Sequence, residues 1–594
     1  MAYRVPARDV RFVFKELAGL DEVLSLPGFE DVSADLIDAV LEENARFVEQ
    51  VVAPLNRRGD TDPARWNNGA VVTTPGFREA FRQYANGGWQ GLQHDPRWGG
   101  QGLPKMVAAA ADESINAASL AFSLCPLLTD GVVEALAAVG SPAQRDRYIP
   151  ALIEGRWTGT MNLTEPQAGS DLALVATRAA RQPDGTYRLS GQKIFITYGE
   201  HDLAENIIHL VLARMPDAPP GVKGISLFIV PKFLVDDDGS LGARNDVWCA
   251  SLEHKLGIHA SPTAVLLYGG GKGQVGGDGA VGYLVGEAHH GLEYMFVMMN
   301  AARYAVGIQG IAVSERALQK AQAYAHERVQ GEALGGSAGS VAIINHPDVQ
   351  RMLLTMRALT EGARALAYVA AAELDRAHRH ADPAARERSR RRHDYLVPVI
   401  KGFSTEVAVE VASLGIQVHG GAGYIEETGA AQYFRDARIL PIYEGTTAIQ
   451  ANDFVGRKTL RDAAAVARDL MAAMHATAAE LAAAHGDDHA AGLDLIGRQL
   501  RAAVDAYERA TEFMLARAAN NTRAVLFGSV PYLMLAGVAL AGWQMARAAL
   551  VCVRRLQVEE GDPFLRRKFA TSVFYAAHVL PRTQALAAAI VEGD

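Results

Sequence analysis

The chain has 594 residues, 49% of them hydrophobic and 21% charged, enough for about four compact units of roughly 150 residues and incompatible with wholesale disorder. With 58 Lys and Arg against 67 Asp and Glu, the net charge is −9, which disfavours nucleic acid as a partner because phosphate binding needs a positive field. Three scattered cysteines, Cys125, Cys249 and Cys552, exclude a disulfide framework and a CxxC metal knuckle and fit a reducing cytoplasm.

Arg4, Arg8, Asp9, Arg11 and Lys15 interrupt the N-terminal segment, so an export signal is not expected there. Residues 1–158 read as a helical block with an N-terminal extension. Val40 to Val48 and Met106 to Asn116 carry a helical period, and turn signals such as Asn67-Asn68-Gly69 and Gly99-Gly100-Gln101-Gly102 lie between them. Near Thr158 the texture changes. Over 159–288 short β-like runs (Tyr187–Leu189, Lys193–Thr197, Ile207–Leu212, Ile225–Val230) alternate with Pro, Gly and Asp turns, which predicts a small antiparallel barrel or sandwich.

Helical texture returns over 289–457, with long periodic segments Asn300 to Arg328 and Pro347 to Arg376, a glycine-rich loop Gly331 to Gly339, and a further helix from about Val397. The basic run Arg386 to Arg392 reads as a solvated connection between helices. Residues 458–594 are alanine-rich and helical. Within them Val525 to Trp543 carries no charge, but it is short and interrupted by Gly528, Pro531, Gly537 and Gly542. It reads as a buried helix, and membrane contact is not expected.

No HExxH, GxSxG or GxxxxGK[ST] pattern occurs, and the histidines lack paired ligands at metal spacing, so no metal site is expected. Gly271-Lys272-Gly273-Gln274-Val275-Gly276 matches GxGxxG. The run after it, Tyr283-Leu284-Val285, is strand-like rather than helical, so a hairpin loop is expected instead of a dinucleotide turn.

Three segments carry more chemistry. Leu163-Thr164-Glu165-Pro166-Gln167-Ala168-Gly169-Ser170-Asp171 comes after a strand and can gather backbone N–H groups round an anion or a polar ring. Lys193-Ile194-Phe195-Ile196-Thr197 places an aromatic ring and a hydroxyl on one side of a strand, suited to a flat heterocycle. Gln417-Val418-His419-Gly420-Gly421-Ala422-Gly423-Tyr424 is followed by Arg435-Asp436 and by Tyr443-Glu444-Gly445-Thr446. Glu444 sits in an apolar setting that can raise its pKa towards the range of a general base.

Together, and in this order, the three segments resemble the acyl-CoA dehydrogenase family over roughly residues 40–457. The length, the segment Leu252 to Thr263 and the helical region after Leu460 resemble the long bacterial subfamily that includes 3-methylmercaptopropionyl-CoA and broad-range fatty acyl-CoA dehydrogenases. The resemblance implies a mainly α fold with a central β domain: an N-terminal helical domain (1–158), a middle antiparallel β-barrel (159–288), a C-terminal four-helix bundle carrying FAD and catalysis (289–457), and an extra C-terminal helical domain (458–594).

It implies FAD-dependent α,β-dehydrogenation of an acyl-CoA to the trans-2-enoyl-CoA, Glu444 taking the α proton and flavin N5 the β hydride, with electron-transfer flavoprotein as acceptor. Alternatives of the same resemblance are an oxidase that uses O₂ and a non-catalytic flavoprotein scaffold. By motif position Met161, Leu163, Thr164, Ser170, Phe195, Ile196, Thr197, Arg328 and Thr446 would contact FAD. Gln417 and Gly421 would reach the cofactor of a neighbouring copy, implying a homodimer. Ser170, Arg303, Glu444 and Gly445 would line the substrate. Phe195 stands where many members carry Trp. Ala302 stands where some members place their base, which leaves Glu444.

Overall fold

Strands begin where the helical period stops. In the computed structural model, which describes residues 3–484 and 489–593, the chain condenses into two units: Gln50–Leu103 with Ala118–Ala302, and Met1–Glu49 with Pro104–Ala117 and Arg303–Asp594.

The first unit is built on an eight-stranded sheet. Its order is Val247–Leu252, Thr263–Tyr268, Tyr187–Thr197, Ala280–Leu284, Ile225–Pro231, Asn206–Arg214 and Trp157–Asn162, and Arg178–Arg181 pairs with both Tyr187–Thr197 and Asn206–Arg214. Pairing is antiparallel with two exceptions. Trp157–Asn162 runs parallel to Asn206–Arg214, and so does the single bridge from Arg178 to Arg214. The barrel-like sheet expected from the turn pattern is present, antiparallel except for these two parallel pairings.

Period-two alternation explains the unbroken apolar runs. Ile208, Leu210, Leu212, Leu227 and Ile229 face one core, shared with helices Leu120–Val139 and Pro142–Ile153. Val211, Ala213, Phe228 and Val230 face a second core with Leu189, Ile196 and Leu266. A strand covered on both faces has no polar side to show.

The glycine-rich segment 269–279 joins two strands, with no helix after it. The N–H groups of Gly271, Lys272 and Gly273 donate to the Asp246 carboxylate at 2.9, 2.8 and 3.1 Å. The loop that matches GxGxxG does cradle an anion, and the anion is its own aspartate.

In the second unit, helices Pro347–Arg379 and Pro383–His419 pack against each other and against Ser529–Leu556. Asp382 caps the second helix, accepting from Ala384 N and Ala385 N, with Pro383 at its first position. The basic run 386–392 is thus not a connection but the opening turns of that helix. Its arginines are tied to Glu387, Asp462 and Asp469.

Gly528 splits the late uncharged run between helices Thr522–Phe527 and Ser529–Leu556. Glycines inside the longer helix allow close approach: a Cβ on Gly537 would lie 2.4 Å from Phe403 Cγ. Leu120–Val139, Gly291–Glu327 and Ser529–Leu556 are long and apolar enough to cross a membrane, yet 67%, 67% and 89% of their apolar windows are buried within the protein.

A charged cluster lies inside this unit. Arg364 donates to Glu113 (2.6 Å), Glu315 (2.7 Å) and Asp9 (2.8 Å), and Lys568 donates to Asp9 (2.6 Å) and Glu361 (2.8 Å). These contacts fasten the N-terminal helix Ala7–Phe12 and the late helix Pro563–His578 to helix Pro347–Arg379.

Candidate active site

In the β-rich unit, the segment after Trp157–Asn162 is held by Glu165. Its carboxylate accepts from Thr177 Oγ1 (2.6 Å), Thr177 N (3.0 Å), Ala176 N (2.7 Å) and Lys193 Nζ (2.8 Å). Lys193 also donates to the Leu163 carbonyl at 2.9 Å, and Ile194 N donates to the Thr164 carbonyl at 2.9 Å. Burial works against the charge on Glu165, but Lys193 and these hydrogen bonds outweigh it and bring the carboxyl down to about 2. Burial pulls Lys193 down to about 8, with Glu165 opposing. The loop carrying Leu163, Thr164 and Ser170 is therefore pinned to the strand carrying Phe195 and Thr197.

That strand contains a bulge. Lys193 pairs with Leu266 and Ile196 with Ala264, so three residues advance against two. Buried side chains switch from Tyr187, Leu189 and Lys193 to Ile196 and Tyr198. The bulge places Phe195 at φ 60°, and the residue is 58% exposed. Thr197 is half-buried, and Ile196 points into the core. Met161 is also a core side chain, whereas Leu163 and Thr164 are half-buried and Ser170 is exposed.

In the helical unit, Glu444 lies in a tight turn before helix Thr447–Asp453. Its φ is 55°, and that of Gly445 is 92°. Thr446 caps the helix, accepting from Ile449 N at 3.3 Å. Gln450 Nε2 donates to the Glu444 and Gly445 carbonyls at 3.2 and 3.3 Å. Lys401 Nζ donates to the Leu440 and Gly445 carbonyls at 2.9 and 2.7 Å. Burial raises the Glu444 carboxyl to about 7, with Arg303 and Lys401 acting the other way. A carboxyl tuned to that range is suited to accept a proton near neutral pH.

Arg303, expected near the CoA part of a substrate, is enclosed, and its Nη1 lies 3.3 Å from Asp453 Oδ2. Asp453 also holds Arg457. Tyr443 donates to Gln309, whose amide donates to Asn116 at 3.0 Å.

The other expected cofactor residues of this unit are exposed. Arg328 lies just past the end of helix Gly291–Glu327 and donates to Gln330 at 3.0 Å. Gln417 and Gly421 flank the end of helix Pro383–His419. A Cβ on Gly420 or Gly421 would meet nothing within 4 Å, whereas on Gly423 it would lie 2.4 Å from the Ile416 carbonyl oxygen. The fold requires glycine at 423 for space and at 420 for its φ of 60°, but not at 421. The first two leave bare backbone open to a partner group.

Glu165, Lys401, Gln450 and Asp453 were not singled out from the sequence as site residues. A signal was present for Lys401: one cation inside the apolar run Val397 to Phe403.

Family models match over residues 37–156 (acyl-CoA dehydrogenase, N-terminal domain), 160–267 (middle domain), 289–459 (C-terminal domain) and 454–594 (acetyl-CoA dehydrogenase C-terminal like). The chain is 51% identical over 581 residues to the 3-methylmercaptopropionyl-CoA dehydrogenase of Ruegeria pomeroyi, covering 98% of this chain and 96% of that protein. It belongs to the acyl-CoA dehydrogenase family.

A second acyl-CoA dehydrogenase, the broad-specificity linear acyl-CoA dehydrogenase FadE5 of Mycobacterium tuberculosis, is 35% identical over 593 residues, 98% of this chain and 96% of that one. Among solved structures, an acyl-CoA dehydrogenase from Bacillus anthracis, complexed with FAD, covers the whole chain and 92% of its own length with a TM-score of 0.70 at 21% identity, which speaks for the fold. The additional C-terminal helices are thus part of an acyl-CoA dehydrogenase architecture. The protein is an oxidoreductase of that family.

Proposed function

We propose that the protein converts an acyl-CoA thioester to its trans-2-enoyl-CoA, with Glu444 removing the α proton. The observation that carries this reading is the Glu444 carboxyl, set in a left-handed turn and raised by burial to about 7. A base in that range is mostly ionised just above neutrality and still basic enough to accept a carbon-bound proton. The N–H of Glu444 donates to the thioester carbonyl and stabilises the charge that develops there. Ala302 leaves the alternative base position without a proton acceptor.

The residues present fit FAD. Phe195 offers an exposed ring beside the Thr197 hydroxyl, and the pinned loop offers Leu163, Thr164 and Ser170. The exposed Arg328 guanidinium suits a pyrophosphate. The open backbone at Gly420 and Gly421, beside Gln417, suits the cofactor of a second copy, which supports a homodimer. FAD, when bound, supplies the acceptor for the β hydride. Electron-transfer flavoprotein is the proposed acceptor of the electrons.

The four blocks 1–158, 159–288, 289–457 and 458–594 are proposed as the domains of this enzyme. Cys125, Cys249 and Cys552 are free and buried, which supports a cytoplasmic setting. The identity to the Ruegeria pomeroyi enzyme favours 3-methylmercaptopropionyl-CoA as the first substrate to assay, beside a series of linear acyl-CoA thioesters.

The decisive test is Glu444→Gln. Anaerobic addition of acyl-CoA should bleach the flavin of the wild type and leave that of the variant yellow, with FAD content equal in both. Bleaching at the wild-type rate would remove Glu444 as the base. Light scattering should give a dimer. Rapid reoxidation of the substrate-reduced wild type in air would reassign it as an oxidase.

A further inference from the structure

Glu444 and Gly445 are successive residues with positive φ. For glutamate the left-handed conformation costs about 1–2 kcal/mol, so the surroundings must impose it. Two side chains reach this backbone. Gln450 comes from the next helix along the chain. Lys401 comes from the middle of helix Pro383–His419, 44 residues before Gly445, and its side chain is fully enclosed.

An enclosed ammonium ordinarily sits on a carboxylate. Lys401 instead donates to two main-chain carbonyls, those of Leu440 and Gly445, which bracket the turn carrying Glu444. Its charge reaches Glu444 through space.

We infer that Lys401 is the positioning residue for the base: it clamps the 440–445 turn so that Glu444 keeps its left-handed backbone, and its positive charge favours the carboxylate form of that side chain. The inference rests on Glu444 being the base.

The charged groups facing Lys401 are Glu444 on the turn, Arg303 from helix Gly291–Glu327 and Glu406 one turn further along its own helix. Glu406 accepts from Thr447 Oγ1 at 2.6 Å, and Arg303 is shared with Asp453. The Lys401 ammonium donates to the two carbonyls of the turn. Arg303 and Lys401 are the two cations that act on Glu444 against its burial. Removing one leaves burial less opposed, so the Glu444 pKa rises.

Lys401→Met keeps the length of the side chain and removes both its charge and its donors. The acid limb of the kcat/KM profile should move to higher pH by about one unit, which lowers the ionised fraction about tenfold on that limb. FAD content and KM should stay near wild type, and part of the lost kcat should return at pH 9. Lys401→Gln, which keeps a donor without the charge and covers the case of a methionine variant that does not fold, should move the limb in the same direction with a smaller loss of kcat.

A kcat lowered by the same factor at every pH, or a limb at the wild-type position in both variants, would overturn the inference. The companion Glu444→Gln separates the two readings. If that variant turns over, the assignment of the base fails. If it is silent while the Lys401 variants keep the wild-type limb, only the role of Lys401 fails.

Discussion

Lys193 and Glu165 meet at 2.8 Å with both side chains almost wholly enclosed. The pair joins the loop bearing Thr164 and Ser170 to the strand bearing Phe195 and Thr197, so it sets the spacing of groups proposed to hold FAD. Breaking one partner leaves the other buried and uncompensated, at a cost of about 3–5 kcal/mol. Lys193→Met should lose stability of that order in urea titration and should also release FAD more readily during gel filtration. The folded pKa of Glu165 is depressed to about 2 from 4.5. Its contribution is therefore complete above about pH 4.5 and is lost as pH falls towards 2. Lys193→Met with unchanged stability and FAD retention would show that the pair is dispensable.

Asp375 accepts from Lys105 N at 2.6 Å and Met106 N at 3.2 Å, holding the start of helix Lys105–Ala118. Burial raises its carboxyl to about 7 from 3.8, against these N–H donors and nearby cations. The sign is opposite to that of Glu165. The contribution is complete below pH 3.8 and is lost as pH rises through about 7, with a slope of about 1.4 kcal/mol per pH unit inside that window. Asp375→Asn cannot titrate. Urea midpoints measured from pH 4 to 8 should show the wild type losing stability relative to this variant as pH rises. Parallel curves would refute the assignment.

Gly445→Ala tests the turn that carries the proposed base. A Cβ there would lie 2.7 Å from Gln450 Nε2 and 3.3 Å from Ile449 Cγ2, at a φ of 92°. The strain is about 1–2 kcal/mol, and the Gln450 amide must leave the Glu444 carbonyl to make room. The rate of flavin reduction in rapid mixing should fall at least about tenfold, since a small displacement of a reacting group is costly, while FAD content is preserved. A wild-type rate would mean that the turn tolerates the shift.

Arg364 is enclosed among Glu113, Glu315 and Asp9. Arg364→Met should lower stability by about 3–5 kcal/mol in chemical denaturation. Adding Glu113→Gln should recover part of the loss, because one of the stranded carboxylates is then neutral. A strictly additive second loss would show that the two residues are not coupled.

Much of the chain was legible because its patterns are local. Helical period marked Pro347–Arg379 to within three residues of its end, and the change near Thr158 marked the first strand of the eight-stranded sheet. The features that escaped depend on partners distant in sequence. Trp157–Asn162 is buried at every position, so it shows no alternation, and its parallel pairing is set by where Asn206–Arg214 lies. The arginines at 386–392 hide a helix whose outer face is neutralised by Asp462 and Asp469, about 70 to 80 residues later. The bulge at Phe195 leaves no mark in the residue types, because the switch of faces is imposed by the register with Thr263–Tyr268. The setting of Glu444 was readable in part: its apolar neighbours announced desolvation, while Arg303 and Lys401 come to act on it only through folding.

The Asp246 carboxylate inside the 269–279 loop has a wider implication. Three main-chain donors that would suit a phosphate are already saturated by a side chain fixed at the sheet edge. The loop is therefore an anion receptor delivered with its guest attached. It keeps its shape without a nucleotide, and replacing Asp246 by a small neutral residue would create a vacant nest, turning a structural corner into a promiscuous one.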